Sequence, residues 1–387
     1  ESKSVGYDKL GLETEVIAIM KDNAIVNESN DDCYIFLKEN PFYAESGGQI
    51  SDSGYLKNNK CKLEVLDVIK APNGQHLLHV KVLEGTVIKG DKILTHVLKE
   101  KRLAITKNHS SAHLLQNALR DLLGEAVHQA GSKVDDKELR FDFNYQGKLS
   151  DKLILKVEDL VNEKINAAYE TTIEYLPLEE AKKKGAMALF SDKYGDIVRV
   201  VTIGPSIELC AGTHVKNSKD IGKFAIASVE NKGSDTYRIT AATDTNIEER
   251  LGKEISNYNE EMLKLLDKAK KIITSAKELD IDLTFNFNID NSSPTSYRDI
   301  VINKNELENL RESLKKLEKD FTIKKNEKAV SDLSSFLNIK EDINGITTII
   351  SITNGYDVAV LKQIVSALSN QIDNNFILLA NINEDNS

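Results

Sequence analysis

Between residues 12 and 100 the apolar side chains come in short alternating runs, whereas beyond Asn108 they recur every three to four positions. A strand turns successive side chains to opposite faces and a helix returns to one face every 3.6 residues, so the two stretches belong to different kinds of structure. In the first, Glu15-Val16-Ile17-Ala18-Ile19, Cys33-Tyr34-Ile35-Phe36-Leu37 and Cys61-Lys62-Leu63-Glu64-Val65-Leu66 are separated by turn signals such as Asn73-Gly74 and Lys89-Gly90-Asp91. That pattern predicts a small β-rich, barrel-like domain. In the second, a helix is expected from Asn108, a good N-cap, to near Gly124, with Leu115, Ala118, Leu119 and Leu122 as its apolar stripe. A helix over 151–170 and strands at 197–203 and 223–229 complete a mixed α+β domain that closes near residue 244.

Further on, residues 247–278 and 303–330 are charged, helical in pattern and nearly free of Gly and Pro. Leu251, Leu263, Leu266, Leu307, Leu310, Leu314 and Leu317 at mixed spacings of three and four predict an antiparallel helical hairpin around the polar insert Asn286 to Thr295. Thr347 to Ile352, residues 357–371 and Phe376 to Ala380 then read as strand, helix, strand, a βαβ unit lacking the further strands that would finish a sheet. The expected fold class is α+β. A barrel-like domain (1–100) is followed by a metal-bearing α+β domain (101–245), a helical hairpin linker (246–332) and a partial α/β C-terminal domain (333–387).

The bulk properties exclude several classes. No apolar run approaches the roughly 18 residues of a membrane span, and there is no signal peptide. Three cysteines, Cys33, Cys61 and Cys210, are too few and odd in number for a disulfide framework, so a reducing, cytoplasmic setting is expected and no membrane partner. A net charge of −10 argues against a simple nucleic-acid binder, although basic clusters occur at Lys99, Lys101 and Arg102 and at Lys182 to Lys184. The chain opens on Glu1 rather than Met, as a piece of something longer would.

Chemistry concentrates in two short motifs. His109-Ser110-Ser111-Ala112-His113 places two imidazoles at i and i+4 on one helical face, where both can reach one ion. About a hundred residues later stands Cys210-Ala211-Gly212-Thr213-His214, in which Gly212 argues for a strand-to-turn connection instead of a helix. Three nitrogens and one sulfur suit a tetrahedral zinc ion (Zn). Either motif alone is a weak signal, and surface histidines or a buried cysteine explain each as well. Four protein ligands also make a closed site, which is more often structural than catalytic.

These motifs, with Asn40-Pro41-Phe42-Tyr43-Ala44-Glu45-Ser46-Gly47-Gly48-Gln49, Gln129-Ala130-Gly131-Ser132 and Val215 after His214, resemble alanyl-tRNA synthetase in order and approximate spacing. The resemblance covers residues 5 to 244 well, and the remainder is similar to the start of that family's C-terminal region, a helical linker and a DHH-associated domain. It implies an editing activity: hydrolysis of the ester of mischarged tRNA(Ala), mainly the seryl and glycyl forms, with zinc held by His109, His113, Cys210 and His214. ATP and alanine would be partners only through an aminoacylation domain that this chain lacks, and a homodimer through the C-terminal region is a further expectation.

Gln129, Ser111 and Thr213 are the candidate catalytic or hydroxyl-sensing groups. Gly47, Gly48, Gln49 and Arg140 are the candidate substrate contacts, since two glycines admit close backbone approach. Ala112 departs from the family, where a threonine commonly precedes the second histidine, and this bears on specificity. Two alternatives stay open: a free-standing trans-editing deacylase, and a structural-zinc tRNA-binding module without catalysis.

Overall fold

The computed structural model of the chain describes residues 1–188, 195–289 and 292–382. They fall into two compact units, Glu1–Ser256 with Ser292–Ile302, and Asn257–Asn291 with Asn303–Ser387. Among the described residues no helix is long and apolar enough to cross a membrane.

The first unit opens with a closed barrel. Strands β1 (Glu13–Lys21), β2 (Cys33–Leu37), β3 (Gly54–Lys57), β4 (Cys61–Lys70), β5 (His76–Gly85) and β6 (Lys92–Val97) pair antiparallel in the order β6-β3-β4-β5-β2-β1, and β1 returns to β6. Closure pairs each of these six strands on both sides, and the short strand Ala24–Val26 adds to the end of β1 outside the closure. The alternation read from the sequence is what fills the interior. In β6, Ile93, Thr95 and Val97 are buried while Lys92, Leu94 and His96 face out, and in β2 Cys33, Ile35 and Leu37 point inward. Phe42, Leu56, Leu63, Leu78 and Val80 complete a core with no exposed surface.

Helix α1 spans Lys99–Leu123, so it starts nine residues before the expected N-cap. Asn108 sits in mid-helix, fully buried, where its amide donates to Asp135 O (2.8 Å) and accepts from Thr243 Oγ1 (2.8 Å). Tertiary partners thus satisfy the side chain that would otherwise compete with helical backbone. Leu115, Ala118 and Leu119 are buried as expected, but Leu122 is 37% exposed at the frayed end, and Gly124 closes the helix with its N–H on Arg120 O.

Two antiparallel sheets follow. One is ordered β7 (Gln129–Val134), β8 (Leu139–Asn144), β13 (Thr236–Thr243), β12 (Phe224–Gly233). The other is β9 (Thr171–Pro177), β10 (Ile197–Ile203), β11 (Ser206–Leu209). Helix α2 (Asp151–Asn166), capped by Ser150, ends four residues short of the expected 170, because the chain turns through Ala168 at positive φ into β9.

Arg102 of α1 fastens that helix to the barrel. It forms a buried ion pair with Asp52 and donates to Gly6 O (2.6 Å) and Pro41 O (3.2 Å). It is therefore an internal clamp, and Arg238 is likewise taken up by Asp142.

Glu158 of α2 is 4% exposed and accepts the backbone N–H groups of Ile226 (2.7 Å) and Tyr297 (2.9 Å). Burial outweighs these donors and Lys223, and, with Asp159 adding to the push, raises its carboxyl to about 7. A folded value above the unfolded one stabilises the fold below pH ~4.3, and that contribution is lost as pH rises through about 7. The stability difference between the chain and Glu158→Gln is expected to change by roughly 3 kcal/mol from pH 5 to pH 8, in the variant's favour. Urea unfolding at both pH values measures it; parallel pH dependences would show that burial does not set this carboxyl.

In the second unit the expected antiparallel hairpin is replaced by two parallel helices. α3 (Ile247–Glu278) and α4 (Tyr297–Ser331) advance together, since Met262 packs with Leu307 and Leu310, and Ala269 with Leu314 and Leu317. The chain runs back between them as an extended strap in which Ile281, Leu283, Phe285, Phe287 and Ile289 alternate with polar residues; Phe287 lies against the Met262 cluster and Leu283 against the Ala269 cluster. Leu263, expected in the seam, is 60% exposed. Parallel strands β15 (Ile346–Asn354) and β16 (Asn375–Ile382), joined by α5 (Val358–Ser369), form the expected βαβ unit, with β14 (Glu341–Ile343) antiparallel at the edge. Ile349, Ile364, Leu368 and Phe336 make its core.

Candidate metal centre

Two elements bring the motifs together. The third and fourth turns of α1 present His109 and His113, and the loop after β11 presents Cys210 and His214. One donor atom from each of the four lies within 4.8 Å of every other. The Cys210 sulfur stands 3.4 Å from His109 Nε2 and 3.3 Å from His214 Nε2. A tetrahedral zinc with bonds of about 2.3 Å to sulfur and 2.0–2.1 Å to nitrogen has S–N edges of about 3.5 Å, so the spacing fits.

The ring nitrogens facing away from the sulfur are held by neighbours. Gln49 Oε1 accepts the backbone N–H of Thr213 (2.9 Å), which fixes the orientation of its amide. The same oxygen lies 2.6 Å from His109 Nδ1. A carbonyl oxygen only accepts, so Nδ1 carries the proton and Nε2 keeps its lone pair toward the cluster. Ser110 Oγ lies 3.1 Å from His214 Nδ1 and accepts the Val215 N–H (3.0 Å). His113 has Glu208 Oε2 3.5 Å from Nε2, and its Nδ1 is buried without a hydrogen-bond partner, an orphan of the kind a cation satisfies.

Burial sets the charges. It pulls His109 down to about 4 and holds His113 and His214 well below the ordinary histidine value, so all three rings are neutral donors. Burial pushes the Cys210 thiol up to about 12 and Glu208 up to about 8, against a lowering by the Gly212 N–H for the thiol and by Ser206 for the carboxyl. Gly212 is dictated by space: a Cβ there would stand 2.0 Å from His109 Cε1.

The other expected site residues divide. Gln49, expected from the sequence as a substrate contact, is fully buried behind His109, whose ring it orients. Thr213 Oγ1 is shared between Gln49 Nε2 (3.0 Å) and Thr106 Oγ1 (2.8 Å). Ser111 donates to Asn108 O one turn back (2.8 Å), so its hydroxyl is committed to the helix. Gly48 is pressed against Ser132, whose Oγ would lie 2.5 Å from a Cβ, and its carbonyl accepts from Val134 N (2.7 Å); Gly47 has open space. Gln129 donates to Ser132 Oγ (2.9 Å) next to this loop. Arg140 stands in β8 opposite Lys133 and Thr240, with Glu138 as its ion partner at 3.9 Å, and no contact among the described residues joins it to the cluster. The sequence reading missed Ser110, Glu208 and Arg199. Arg199 donates through Nη1 to the carbonyls of Cys210 (2.7 Å) and Gly212 (3.0 Å). Only their closeness to the motifs, within the HxxxH span or next to the cysteine, hinted at the first two.

Residues 1–101 match the family model described as tRNA synthetases class II (A), and residues 198–240 match the threonyl and alanyl tRNA synthetase second additional domain. The proteins named Alanine--tRNA ligase are similar to the chain in sequence. That of Geobacillus kaustophilus is 46% identical over 287 residues, covering 73% of this chain and 32% of that protein. That of Halalkalibacterium halodurans is 37% identical over 387 residues, 99% of this chain and 41% of that protein. The chain belongs to the alanine--tRNA ligase family and spans about a third to two-fifths of the length of these relatives.

Proposed function

We propose that the chain hydrolyses the ester of mischarged tRNA(Ala), releasing serine or glycine and sparing alanine, as the editing activity of an alanine--tRNA ligase. The observation that carries this reading is the convergence of His109, His113, Cys210 and His214 within 4.8 Å in a family whose members charge tRNA with alanine by name. Their donor set fits zinc. When bound there, zinc supplies a Lewis acid for an ester carbonyl, a water or an amine.

The chain's own residues hold and shape that centre. Gln49 and Ser110 orient two of the imidazoles, Arg199 pins the Cys210–Gly212 backbone, and Gly212 leaves room for the His109 ring. Discrimination requires a polar group that pairs with the serine hydroxyl and is left unpaired against alanine. Gln129, beside the Gly47–Gly48 loop, and Thr213 are the residues proposed for this, with Arg140 proposed to meet tRNA phosphate. Ala112, buried in α1, offers no hydroxyl.

The test is deacylation of seryl-tRNA(Ala) by the chain, beside alanyl-tRNA(Ala) and the Cys210→Ala variant. Serine release with alanine spared, and a loss of at least about 100-fold in the variant, is expected. A folded, zinc-loaded chain that binds tRNA but releases no serine would instead make the centre structural.

A further inference from the structure

Beside the His/Cys cluster, Arg199 adjoins two tyrosines, Tyr7 and Tyr175, that the chemistry above does not use. Tyr175 and Arg199 are directly opposite in the β9–β10 pair, so their side chains rise from the same face of that sheet. The Arg199 guanidinium carbon sits 4.3 Å from the centroid of the Tyr7 ring. The Tyr7 hydroxyl donates to Ala211 O, which fixes that ring against the loop carrying Cys210. Burial holds the Tyr7 phenol above its ordinary value, with the nearby Arg199 charge pulling it down and Tyr175 pushing it up.

Two features mark this group as unfinished. Both tyrosines are open to solvent, Tyr7 by 47% and Tyr175 by 63%. Arg199, among the described residues, has no carboxylate partner, and its Nε is buried with no hydrogen bond. A guanidinium with no carboxylate partner among the described residues, lying over the Tyr7 ring and across the strand pair from Tyr175, offers stacking surface and positive charge together. Next to it a cleft of about 170 Å³ has Tyr7, Tyr43, Lys70, His76 and Ala211 in its walls, so the platform adjoins a cavity.

We propose that Tyr7, Tyr175 and Arg199 form a stacking platform for the unpaired bases at the 3′ end of an RNA whose terminal ester is presented to the His/Cys cluster. The proposal rests on the ester-hydrolysis reading and names the subsite that would position its substrate. Single-stranded RNA ends are recognised by stacking on aromatic rings and guanidinium planes, and such stacking tolerates any base because every base has a π-face.

The experiment is equilibrium binding of an uncharged acceptor-stem hairpin of tRNA(Ala), with its unpaired 3′ nucleotides or trimmed flush, to the full chain. The chain is expected to prefer the hairpin with the unpaired end. Tyr175→Ala, at a mostly exposed strand position, should raise the Kd for that hairpin about tenfold, equivalent to ~1.4 kcal/mol. It should leave the flush hairpin unchanged, and Tyr175→Phe should stay within about twofold of the parent chain.

Equal affinity for the two hairpins, no binding to either, or a Tyr175→Ala variant with parental affinity would overturn the platform. The readout needs no hydrolysis, so it separates the two claims. End-dependent binding lost in Tyr175→Ala without any serine release leaves the platform standing and removes the editing reading. Serine release with an unchanged KM in Tyr175→Ala does the reverse.

Discussion

Gly212→Ala is expected to lower the affinity of the chain for Zn²⁺ by more than about 100-fold, the upper end of what loss of an orienting residue costs. The added Cβ would stand 2.0 Å from His109 Cε1, 2.2 Å from its Nδ1 and 3.0 Å from Gln49 Oε1. Non-bonded carbon atoms do not approach that closely, so either the ring or the loop must move. The ring cannot swing away cheaply, since it is 6% exposed and held by Gln49. The loop cannot withdraw without giving up the two Arg199 bonds and the Thr213 N–H bond to Gln49. Metal–ligand distances tolerate only about 0.2 Å. A displacement of the order of an ångström therefore removes a ligand instead of loosening it. Competition with a chromogenic chelator gives the affinity, and circular dichroism shows whether the fold survives. Parental affinity in a folded Gly212→Ala chain would mean that His109 is not a ligand or that the loop has an alternative seat.

Asp52→Ala is expected to destabilise the first unit by about 3–5 kcal/mol, because it leaves the Arg102 charge buried without its partner. Asp52 is 2% exposed and Arg102 7% exposed. The carboxylate also accepts the Tyr43 backbone N–H (2.7 Å), which would lose its acceptor at the same time. Replacing both ionic residues, as in Asp52→Ala with Arg102→Met, removes the stranded charge and should recover a large part of the loss. Urea unfolding of the single and double variants measures this as a cycle. A single variant within about 1 kcal/mol of the parent chain would show that water reaches the guanidinium once the carboxylate is gone. The effect extends to the metal centre, because this pair ties α1, with His109 and His113 on it, to the barrel segment that ends in Gln49.

Much of the candidate centre was legible because its signals are local. An i, i+4 histidine pair on a helix and a cysteine and histidine across one glycine-bearing turn are geometric statements within five residues, so they survive ignorance of the fold. The roles of Gln49 and Arg199 were not legible, because each depends on a partner brought from elsewhere in the chain. Gln49 meets His109 across 60 residues and Thr213 across 164. Asn108 shows the opposite failure, in which a strong local preference for a helix start was overruled by Asp135 and Thr243. The strap over Ile281 to Ile289 was readable, since its apolar residues recur with the period of two. The parallel course of α3 and α4 depends instead on packing between Met262, Leu307 and Leu310 and between Ala269, Leu314 and Leu317, which lie far apart in the chain.

By itself the sequence determined the alternation that fills the barrel, the helix that carries His109 and His113, the βαβ order near the C-terminus and the two motifs whose His109, His113, Cys210 and His214 converge. Each of these follows from backbone period or side-chain chemistry, which act over a few residues. Only the tertiary structure decided which nitrogen of His109 keeps its lone pair, why position 212 must be glycine, and that Arg102 is a clamp. It also decided that Tyr7, Tyr175 and Arg199 share one surface. The physical reason is that these depend on contacts between segments distant in the chain, where packing and hydrogen-bond satisfaction, rather than local preference, select the partner.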